Sequence, residues 1–317
     1  MIRRVEITSP SRLHFGLYGF GATQERQFGG IGAMINTPSV RLVASAANQF
    51  AVQGPLSARV QAFARRWSEF HRRAELPACS IEVQEVPPEH TGLGVGTQLG
   101  LSVAMALHTL AEFAPPTPRE LALSVGRGLR SAVGTYGFLR GGFIAERGKL
   151  PSESFAPLDV RVELPTAWRF VLVTPLLQDG LHGTHEMQAF SQLPPVSPLV
   201  TEQLICLVRE RLVPAAVTAD FQQFSEAMYQ YCHAAGECFA PIQGGPYNGS
   251  MLMELVRTIR ELGVTGIGQS SWGPTLFCLL PDQTTAETFA RQLQPQCAGD
   301  TQIHITSPNN SGVRVLV

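Results

Sequence analysis

The sequence contains almost no lysine. Of its 24 basic residues only Lys149 is a lysine, so arginine carries nearly all of the positive charge. The formal net charge is −1, and no basic run is interleaved with aromatic residues. Nucleic-acid binding requires a clustered positive surface, so we expect no nucleic-acid partner. Any anion site in this chain must be built from arginines, backbone N–H groups and helix N-termini.

Cysteine pairs with metal-binding spacing are also missing. The six cysteines are scattered, and Cys232 and Cys238 have no second close pair that would complete a zinc site. We interpret all six as free thiols in a reducing compartment. Apolar runs such as "FVLVTPLL" are too short to span a bilayer, and the N-terminal segment lacks the apolar core of a signal peptide. We therefore expect a cytoplasmic protein with no membrane partner.

The sequence does contain strands and helices, but no regular βαβ repeat. Its 317 residues, 44% of them hydrophobic, suit two domains with sizeable cores. The first half alternates strands with a few helices, one of which is predicted over residues 118–130. A change of composition around residues 151–165 indicates that the chain crosses from one domain to the next there, so we assign the domains to residues 1–158 and 159–317. The pattern predicts an α+β fold.

A glycine-rich loop precedes an apolar helix in "HTGLGVGTQLGLSVAMALHTL", residues 90–110. Gly92, Gly94 and Gly96, followed by Thr97 and Gln98, can lay backbone N–H groups along a diphosphate, with the helix dipole adding attraction. The loop lacks the lysine of a Walker loop and the spacing of a Rossmann fingerprint. Taken alone, the pattern is equally typical of a simple tight turn.

A second segment, "GRGLRSAVGTYGFLRGGF", is rich in arginine and poor in acid. It contains Arg127, Arg130 and Arg140, and there is no Asp or Glu between Gly126 and Ala145. Arginines without local carboxylates indicate an external anion, although a solvated surface is the usual place for any one of them.

Two further segments carry polar residues beside glycines, "SRLHFGLYGF…RQFGGIG" and "GIGQSSWGPTLF". A lone His or Arg on a strand and a pair of serines in a turn are often structural. As candidate site residues these segments contribute Arg12, His14 and Arg26, and Gln269, Ser270 and Ser271.

The order of these motifs resembles the GHMP superfamily of galactokinase, homoserine, mevalonate and phosphomevalonate kinases. That resemblance implies an N-terminal domain like domain 2 of ribosomal protein S5, a ferredoxin-like C-terminal domain and a site between them. The sequence departs from the kinases in two respects. Val95, Gly96, Thr97 and Gln98 stand where the kinase loop has serines, and the arginine segment lacks the Asp that many of the kinases carry there.

Within the superfamily, the segments look like those of the β-ribofuranosylaminobenzene 5′-phosphate synthase family. The resemblance implies that 4-aminobenzoate and phosphoribosyl diphosphate are joined with loss of CO₂ and diphosphate, in methanopterin biosynthesis. It also implies Mg²⁺ with the diphosphate, no organic cofactor and a homodimer. Two alternatives remain open: an ATP-dependent small-molecule kinase of the superfamily, and a catalytically silent ligand-binding member.

This chemistry assigns expected roles to the candidate residues. The glycine loop and the arginine segment would each hold one phosphate group of the donor, and Arg12 or Arg26 would bind the aromatic carboxylate. His14 would move a proton or orient the leaving group, and Gln243, Gln269, Ser270 and Ser271 would line the cleft. Glu186, helped by His185, would hold Mg²⁺, although a Glu at a helix start is also a common cap.

Overall fold

The computed structural model describes residues 2–21, 25–176, 192–297 and 299–317. In chain order its strands are β1 (Arg4–Gly19), β2 (Phe28–Ala46), β3 (Ala51–Gln53), β4 (Cys79–Glu85), β5 (Phe143–Glu146), β6 (Leu158–Val162), β7 (Arg169–Pro175), β8 (Gly266–Gln269), β9 (Leu276–Leu280), β10 (Thr301–Thr306) and β11 (Arg314–Leu316).

The described helices follow the same order. They are α1 (Ser57–Phe70), α2 (Val95–Leu110), α3 (Pro118–Ser124), α4 (Val133–Arg140), α5 (Pro198–Cys206), α6 (Val213–Thr218), α7 (Phe221–Glu237), α8 (Ala240–Gln243), α9 (Ser250–Glu261) and α10 (Gln283–Leu293). A π-helical segment, Leu207–Leu212, joins α5 to α6, and a 3₁₀ turn, Gln294–Gln296, follows α10.

The first sheet is built around the long strands β1 and β2. Its order is β11-β1-β2-β4-β3, and the opposite half of β2 pairs with β5, which pairs with β6. All pairs are antiparallel except β3 with β4. Helices α1, α2, α3 and α4 share one apolar core with this sheet, in which Phe63, Trp67 and Leu99 are fully buried or nearly so. Helix α2 lies within that core, so only its N-terminus is presented to the site.

The second sheet has the order β10-β7-β9-β8, with every pair antiparallel. Helices separate β7 from β8 and β9 from β10, which gives the β-α-β-β-α-β arrangement of a ferredoxin-like domain. Side chains alternate across β7 as period-2 packing requires. Phe170 and Leu172 join the cluster that contains α7, while Val171 and Val173 pack against α9 and α10.

A shared apolar core joins the two sheets. Phe15 of β1 stacks on Phe277 of β9 with ring centroids 4.8 Å apart and also contacts Phe143 of β5 at 6.0 Å. The buried hydroxyl of Tyr231, on α7, donates to Gly16 O at 3.0 Å. Because aromatic burial of this kind contributes several kcal/mol per ring, the sheets are held in one relative position.

The predicted α+β class is confirmed, whereas two predicted boundaries are wrong. Strand β6 pairs with β5, so the first sheet extends past residue 158. The last described strand, β11, pairs with β1 and therefore also belongs to the first sheet. The helix predicted over 118–130 ends at Ser124, because Gly126 and Gly128 adopt φ values of +65° and +73°. Residues 125–132 form a loop instead. None of the described helices is long and apolar enough to cross a membrane.

Candidate functional site

A cavity of about 440 Å³ opens between the two domains. The N-terminal domain contributes its charged and titratable side chains, which are Arg12, His14, Arg59, Glu89, His90, Arg127 and Arg130. The described lining residues of the C-terminal domain carry no charge, and the larger ones are Cys232, Phe239, Gln243, Pro246, Gln269 and Trp272. The cavity therefore has one cationic wall and one neutral, partly aromatic wall.

The glycine loop forms the floor of the cationic wall at the start of α2. Gly94 caps the helix with φ +72°, and no side chain caps the first N–H groups. Gly92 has φ +91°, and a Cβ at this position would lie 2.2 Å from Ser270 O. The backbone of residues 270–273 is thus in direct contact with the loop, which only glycine permits. The uncapped N-terminus leaves N–H groups and a positive dipole end beside the cavity.

The Ser270 hydroxyl connects the loop to β1. Its Oγ accepts the His14 N–H at 3.0 Å and donates to Gly92 O at 2.8 Å. The Ser271 N–H donates to His14 O at 3.1 Å, and the Arg12 N–H donates to Leu93 O at 3.0 Å. Since Ser270 is fully buried, these bonds are shielded from water. They fix the relative positions of the glycine loop, His14 and the C-terminal domain.

Two guanidinium groups lie over the glycine loop. A Cβ at Gly96 would fall 2.2 Å from Nη2 of Arg59 and 3.4 Å from Nη2 of Arg127. Arg59 also forms an ion pair with Glu89, and burial lowers its pKa. Planar guanidinium groups next to backbone N–H groups are suited to phosphate oxygens, which they bind by bidentate hydrogen bonds.

His14 is buried at the wall of the cavity and is only 6% exposed. Burial and the nearby Arg12 charge hold its pKa well below the ordinary value. The ring is therefore neutral at pH 7, with one nitrogen able to accept a proton. Its Nε2 lies 3.3 Å from Oγ of Ser131.

The neutral wall combines an aromatic pair with amides. Phe239 and Trp272 are in T-shaped contact, with ring centroids 4.7 Å apart. Nε2 of Gln243 donates to Gly236 O at 3.2 Å. Oε1 of Gln269 accepts the Asn248 N–H at 2.8 Å, and its Nε2 donates to Ser271 O at 3.0 Å. Such a surface binds a flat ring and orients its polar edge.

Most of the predicted site residues lie at this cavity. Those that line it are Arg12, His14, Gly92, Gly94, Gly96, Thr97, Arg127, Arg130, Gln243, Gln269 and Ser271. Gln98 and Ser270 are fully buried behind it, and Nε2 of Gln98 donates to Gly134 O at 3.1 Å. These two side chains connect segments of the protein rather than contact a ligand.

Arg26 and Arg140, which were also predicted as site residues, are not among the described residues that line the cavity. Arg26 forms two hydrogen bonds with the Glu153 carboxylate, at 2.7 and 2.9 Å, and a third with Gly148 O. Arg140 is exposed at the C-terminal end of α4, where its charge faces the negative end of the helix dipole.

The predicted metal ligands His185 and Glu186 lie outside the described residues. Among the residues that the structure does describe, no group of three His, Cys, Asp or Glu side chains is arranged to hold a metal ion. Within that same part of the chain Glu89 is the one carboxylate lining the cavity. A single carboxylate fits Mg²⁺ that arrives with substrate phosphates and keeps several waters.

The sequence motifs did not indicate Arg59, Glu89, Ser131, Phe239 or Trp272. Arg59 lies on an amphipathic helix among other arginines, so its position in the sequence is typical of a solvated face. Trp272 directly follows Ser271 in the motif "GIGQSSWGPTLF", and this position could have indicated that it lies at the site. Ser131 follows Arg130 in the quoted arginine segment, and Glu89 directly precedes the quoted glycine loop. Phe239 lies outside the quoted motifs and reaches the cavity through tertiary folding.

Comparison with known proteins agrees with the fold and the motifs. Residues 212–299 match the family model described as "GHMP kinases C terminal". Homoserine kinase from Cytophaga hutchinsonii superposes with a TM-score of 0.70 at 15% identity, covering 100% of this chain and 98% of the other. Mevalonate diphosphate decarboxylase from Staphylococcus aureus gives 0.68 at 14% identity, covering 100% and 99%. The chain therefore shares the fold of these two enzymes, and its residues 212–299 resemble the C-terminal part of the GHMP kinases.

Full-length sequence similarity is to a narrower group. The beta-ribofuranosylphenol 5'-phosphate synthase of Methanothermobacter thermautotrophicus is 27% identical, with 100% of both chains covered. The enzyme of the same name from Archaeoglobus fulgidus is 28% identical, covering 99% of this chain and 100% of its own. The resemblance read from the sequence motifs is thereby confirmed.

The Ser270 bonds yield a stability prediction. Replacing Ser270 with Ala removes both bonds and leaves the buried His14 N–H and Gly92 O unpaired, so we expect a loss of about 2–4 kcal/mol. Ser225→Ala is the matched control, because Ser225 is equally buried and its hydroxyl has no hydrogen-bond partner among the described residues. The change there should not be destabilising, because it removes a buried hydroxyl group that forms no hydrogen bond among the described residues. Urea unfolding of both variants measures the difference, and equal losses would contradict the connecting role of Ser270.

Proposed function

We propose that this chain is a decarboxylating phosphoribosyl transferase that joins a 4-substituted benzoate to phosphoribosyl diphosphate. The observation that carries the proposal is the division of one cavity into a cationic wall and a neutral aromatic wall. The name of its full-length relatives specifies the same kind of product, a phosphorylated ribofuranose attached to an aromatic ring.

The cationic wall suits the donor. Phosphoribosyl diphosphate carries a diphosphate and a separate 5-phosphate, so one molecule requires two anion sites. The N-terminus of α2 with Arg59 and Arg127 forms one cluster of donors at Gly96. Arg130 supplies further positive charge on the loop that follows α3. Hydrogen-bond donors held in place before the reaction stabilise the charge that grows on the departing diphosphate.

The neutral wall suits the acceptor. Phe239 and Trp272 offer an apolar surface to a benzoate ring, and the Gln243 side chain lines the cavity beside them. No charged side chain among the described residues of this wall competes for the ring. The ring carboxylate is then directed towards the cationic wall, where Arg12 is the candidate partner in place of Arg26. Two substrates held in this way react as one assembly.

The reaction requires positioning and one proton acceptor. The bond between C1 of the ribose and diphosphate breaks, and its electron pair leaves with diphosphate. The ring carbon that bears the carboxylate forms a bond to C1. The para O–H or N–H then gives up its proton while the ring is electron-poor, and His14 is the neutral acceptor at the cavity wall. Loss of CO₂ returns an electron pair to the ring, and the para group recovers its proton.

When bound, Mg²⁺ would neutralise diphosphate charge, and Glu89 is the described carboxylate positioned to hold it. The remaining stabilisation comes from arginines and backbone N–H groups, in agreement with a chain that has one lysine.

The para substituent of the acceptor is the least constrained part of the proposal. The sequence motifs resemble an enzyme family that uses 4-aminobenzoate, whereas the relatives' name specifies a phenol, which corresponds to 4-hydroxybenzoate. Both groups donate electrons to the ring, and the side chain of Gln243 offers an oxygen that accepts from either. We therefore propose both acids as acceptors to be compared.

The reaction is tested with each acid labelled in its carboxyl carbon, together with phosphoribosyl diphosphate and Mg²⁺. We expect labelled CO₂, and a ribosylated ring of the expected mass, only when donor and acceptor are both present. The ratio of kcat/KM values identifies the preferred acid. Incubation with ATP and the same acceptors is the control, because a superfamily kinase would transfer phosphate instead. CO₂ release from neither acid by folded protein would refute the proposal.

A charge-matched set of arginine variants tests the cationic wall. We expect Arg127→Ala to lower kcat/KM for phosphoribosyl diphosphate by 10- to 100-fold, about 1.4–2.7 kcal/mol, because the guanidinium lies over the glycine loop. Arg140→Ala removes the same charge outside the cavity and should change this value less than twofold. Initial rates at varied donor concentration provide the comparison. Similar effects in both variants would mean that net charge, rather than the cavity, governs donor binding.

A further inference from the structure

A buried carboxylate lies behind the cavity wall, and the reaction described above does not use it. Glu146 ends β5 and is 0% exposed, and it is not one of the residues that line the cavity. Its Oε1 accepts the Ala132 N–H at 2.9 Å, at the N-terminal end of α4. Its Oε2 is buried and has no hydrogen bond of normal geometry among the described residues. An ionisable group in such a place is costly to folding unless its charge is compensated.

Ser131 connects this carboxylate to the cavity. Its Oγ lies 3.3 Å from Nε2 of His14 and accepts the Val133 N–H, also at 3.3 Å. Ser131 directly precedes Ala132, whose N–H holds the Glu146 carboxylate, and the Ser131 hydroxyl opposes the rise that burial causes in the pKa of that carboxyl group. A serine hydroxyl has one proton to donate, and both Glu146 and His14 are able to accept it.

We propose that Glu146 is a positioning residue that sets, through the single proton of Ser131, which ring nitrogen of His14 carries hydrogen. When Glu146 is ionised, Ser131 donates to the carboxylate and its lone pair accepts from His14 Nε2–H. Nδ1 of His14 is then the proton acceptor, and no described residue forms a hydrogen bond to it. When Glu146 is protonated, Ser131 donates to Nε2 instead, and the ring carries its hydrogen on Nδ1.

The electrostatic surroundings make this exchange accessible near neutral pH. Burial raises the pKa of Glu146 to about 7, against the lowering effects of Ser131, two backbone N–H groups and Lys149. His14 is neutral in both states, because burial and Arg12 lower its pKa. The exchange therefore changes the tautomer of His14 without changing its charge.

The phenol groups that face Glu146 do not titrate in the same range. The phenols of Tyr18, Tyr136 and Tyr231 have pKa values raised by burial and, in part, by the Glu146 charge itself, so they remain neutral. The strand β2 presents Gly30 opposite Glu146, which has no side chain to titrate. Titratable or charged neighbours on the packed elements are Tyr18 and His14 of β1, Tyr136 of α4, Tyr231 of α7, Asp159 of β6, and Lys149 after β5.

The catalytic consequence rests on the proposed function. There the para group of the acceptor loses a proton while the ring is electron-poor, and an acceptor nitrogen of His14 has to be free to take it. Ionised Glu146 keeps Nδ1 of His14 unprotonated and so prepares the ring for that step. The rate should therefore rise with pH as Glu146 ionises.

Glu146→Gln provides the direct test. Its amide oxygen still accepts the Ala132 N–H, while its NH₂ group donates permanently to Ser131, so the hydroxyl turns towards His14. We expect ¹⁵N NMR of the free protein, labelled at histidine and assigned with a His14→Phe variant, to show the His14 proton on Nδ1 from pH 6 to 8.5. In the unsubstituted protein it should move from Nδ1 to Nε2 around pH 7. In this variant kcat/KM should be at least 10-fold lower at pH 8, and it should no longer rise with pH around 7.

Stability gives a second measurement with a worked-out sign. A raised carboxyl pKa means that the folded state retains a proton which the unfolded state releases, so the free energy of unfolding falls as pH rises from about 4.5 to about 7. This fall should be absent in Glu146→Gln. Ser131→Ala separates the two effects, because Glu146 still titrates and the stability slope should persist, while the tautomer of His14 no longer follows it.

The outcomes are distinguishable. If the His14 tautomer is the same in the unsubstituted protein and in Glu146→Gln at every pH, the proposal is wrong regardless of activity. If Glu146→Gln does not fold, the same judgement rests on Ser131→Ala, in which an unchanged pH-dependent tautomer overturns the proposal. A tautomer that follows Glu146 in a protein that releases no CO₂ supports the connection to Ser131 and refutes the proposed function alone.

Discussion

The Ser270 hydroxyl is the contact on which the rest of the candidate site depends. It holds the backbone of β1 at His14 and the glycine loop at Gly92, and it belongs to the turn before β9. At the site, one buried side chain thus joins the two domains, next to a backbone approach that leaves no room for a Cβ at Gly92. Because the same residue holds both the glycine loop and the backbone at His14, the N–H groups of the loop and the candidate proton acceptor keep a fixed separation.

The two walls of the cavity differ in chemistry because each is supplied by a different domain. The N-terminal domain supplies the open N-terminus of α2 and four arginines, and the described part of the C-terminal domain supplies amides, an aromatic pair and no charge. Transfer of a phosphoryl group to a hydroxyl requires a base or electrostatic steering for that hydroxyl. Here the region between Gly126 and Ala145 presents arginine instead of acid. The cavity is better suited to stabilising a departing diphosphate than to activating a hydroxyl group.

The sequence predicted what depends on local chain geometry and failed where a side chain's surroundings come from distant segments. The turn at the glycine loop and the helix that follows it were predicted from the spacing of local residues, without knowledge of any distant contact. Arg127 and Arg130 were identified from the absence of neighbouring acid in the sequence. Arg26 was selected because it lies beside glycines next to a strand, but Glu153, more than a hundred residues away, pairs with it. Arg59 was missed for the same reason. Its position in the sequence is typical of a solvated helix face, and yet its side chain lies over the glycine loop. The fold class was accessible because it rests on the order of elements rather than on individual contacts.

Glu146 illustrates why a residue can be important to a site without touching it. An amide of the same shape would keep the bond to the Ala132 N–H and would avoid a charge that weakens folding above pH 7. The difference between the two side chains is that the amide has fixed donors, whereas the carboxyl group can gain or lose a proton. Only the carboxylate leaves the proton of Ser131 free to turn towards or away from His14, whose Nε2 lies 3.3 Å from the Ser131 hydroxyl at the cavity wall. Local rules of burial are most often broken where chemistry requires it, and this is the one fully buried acid in the described part of the chain. The cost to stability and the control of His14 therefore have the same physical origin, a carboxylate that retains the ability to ionise inside the core.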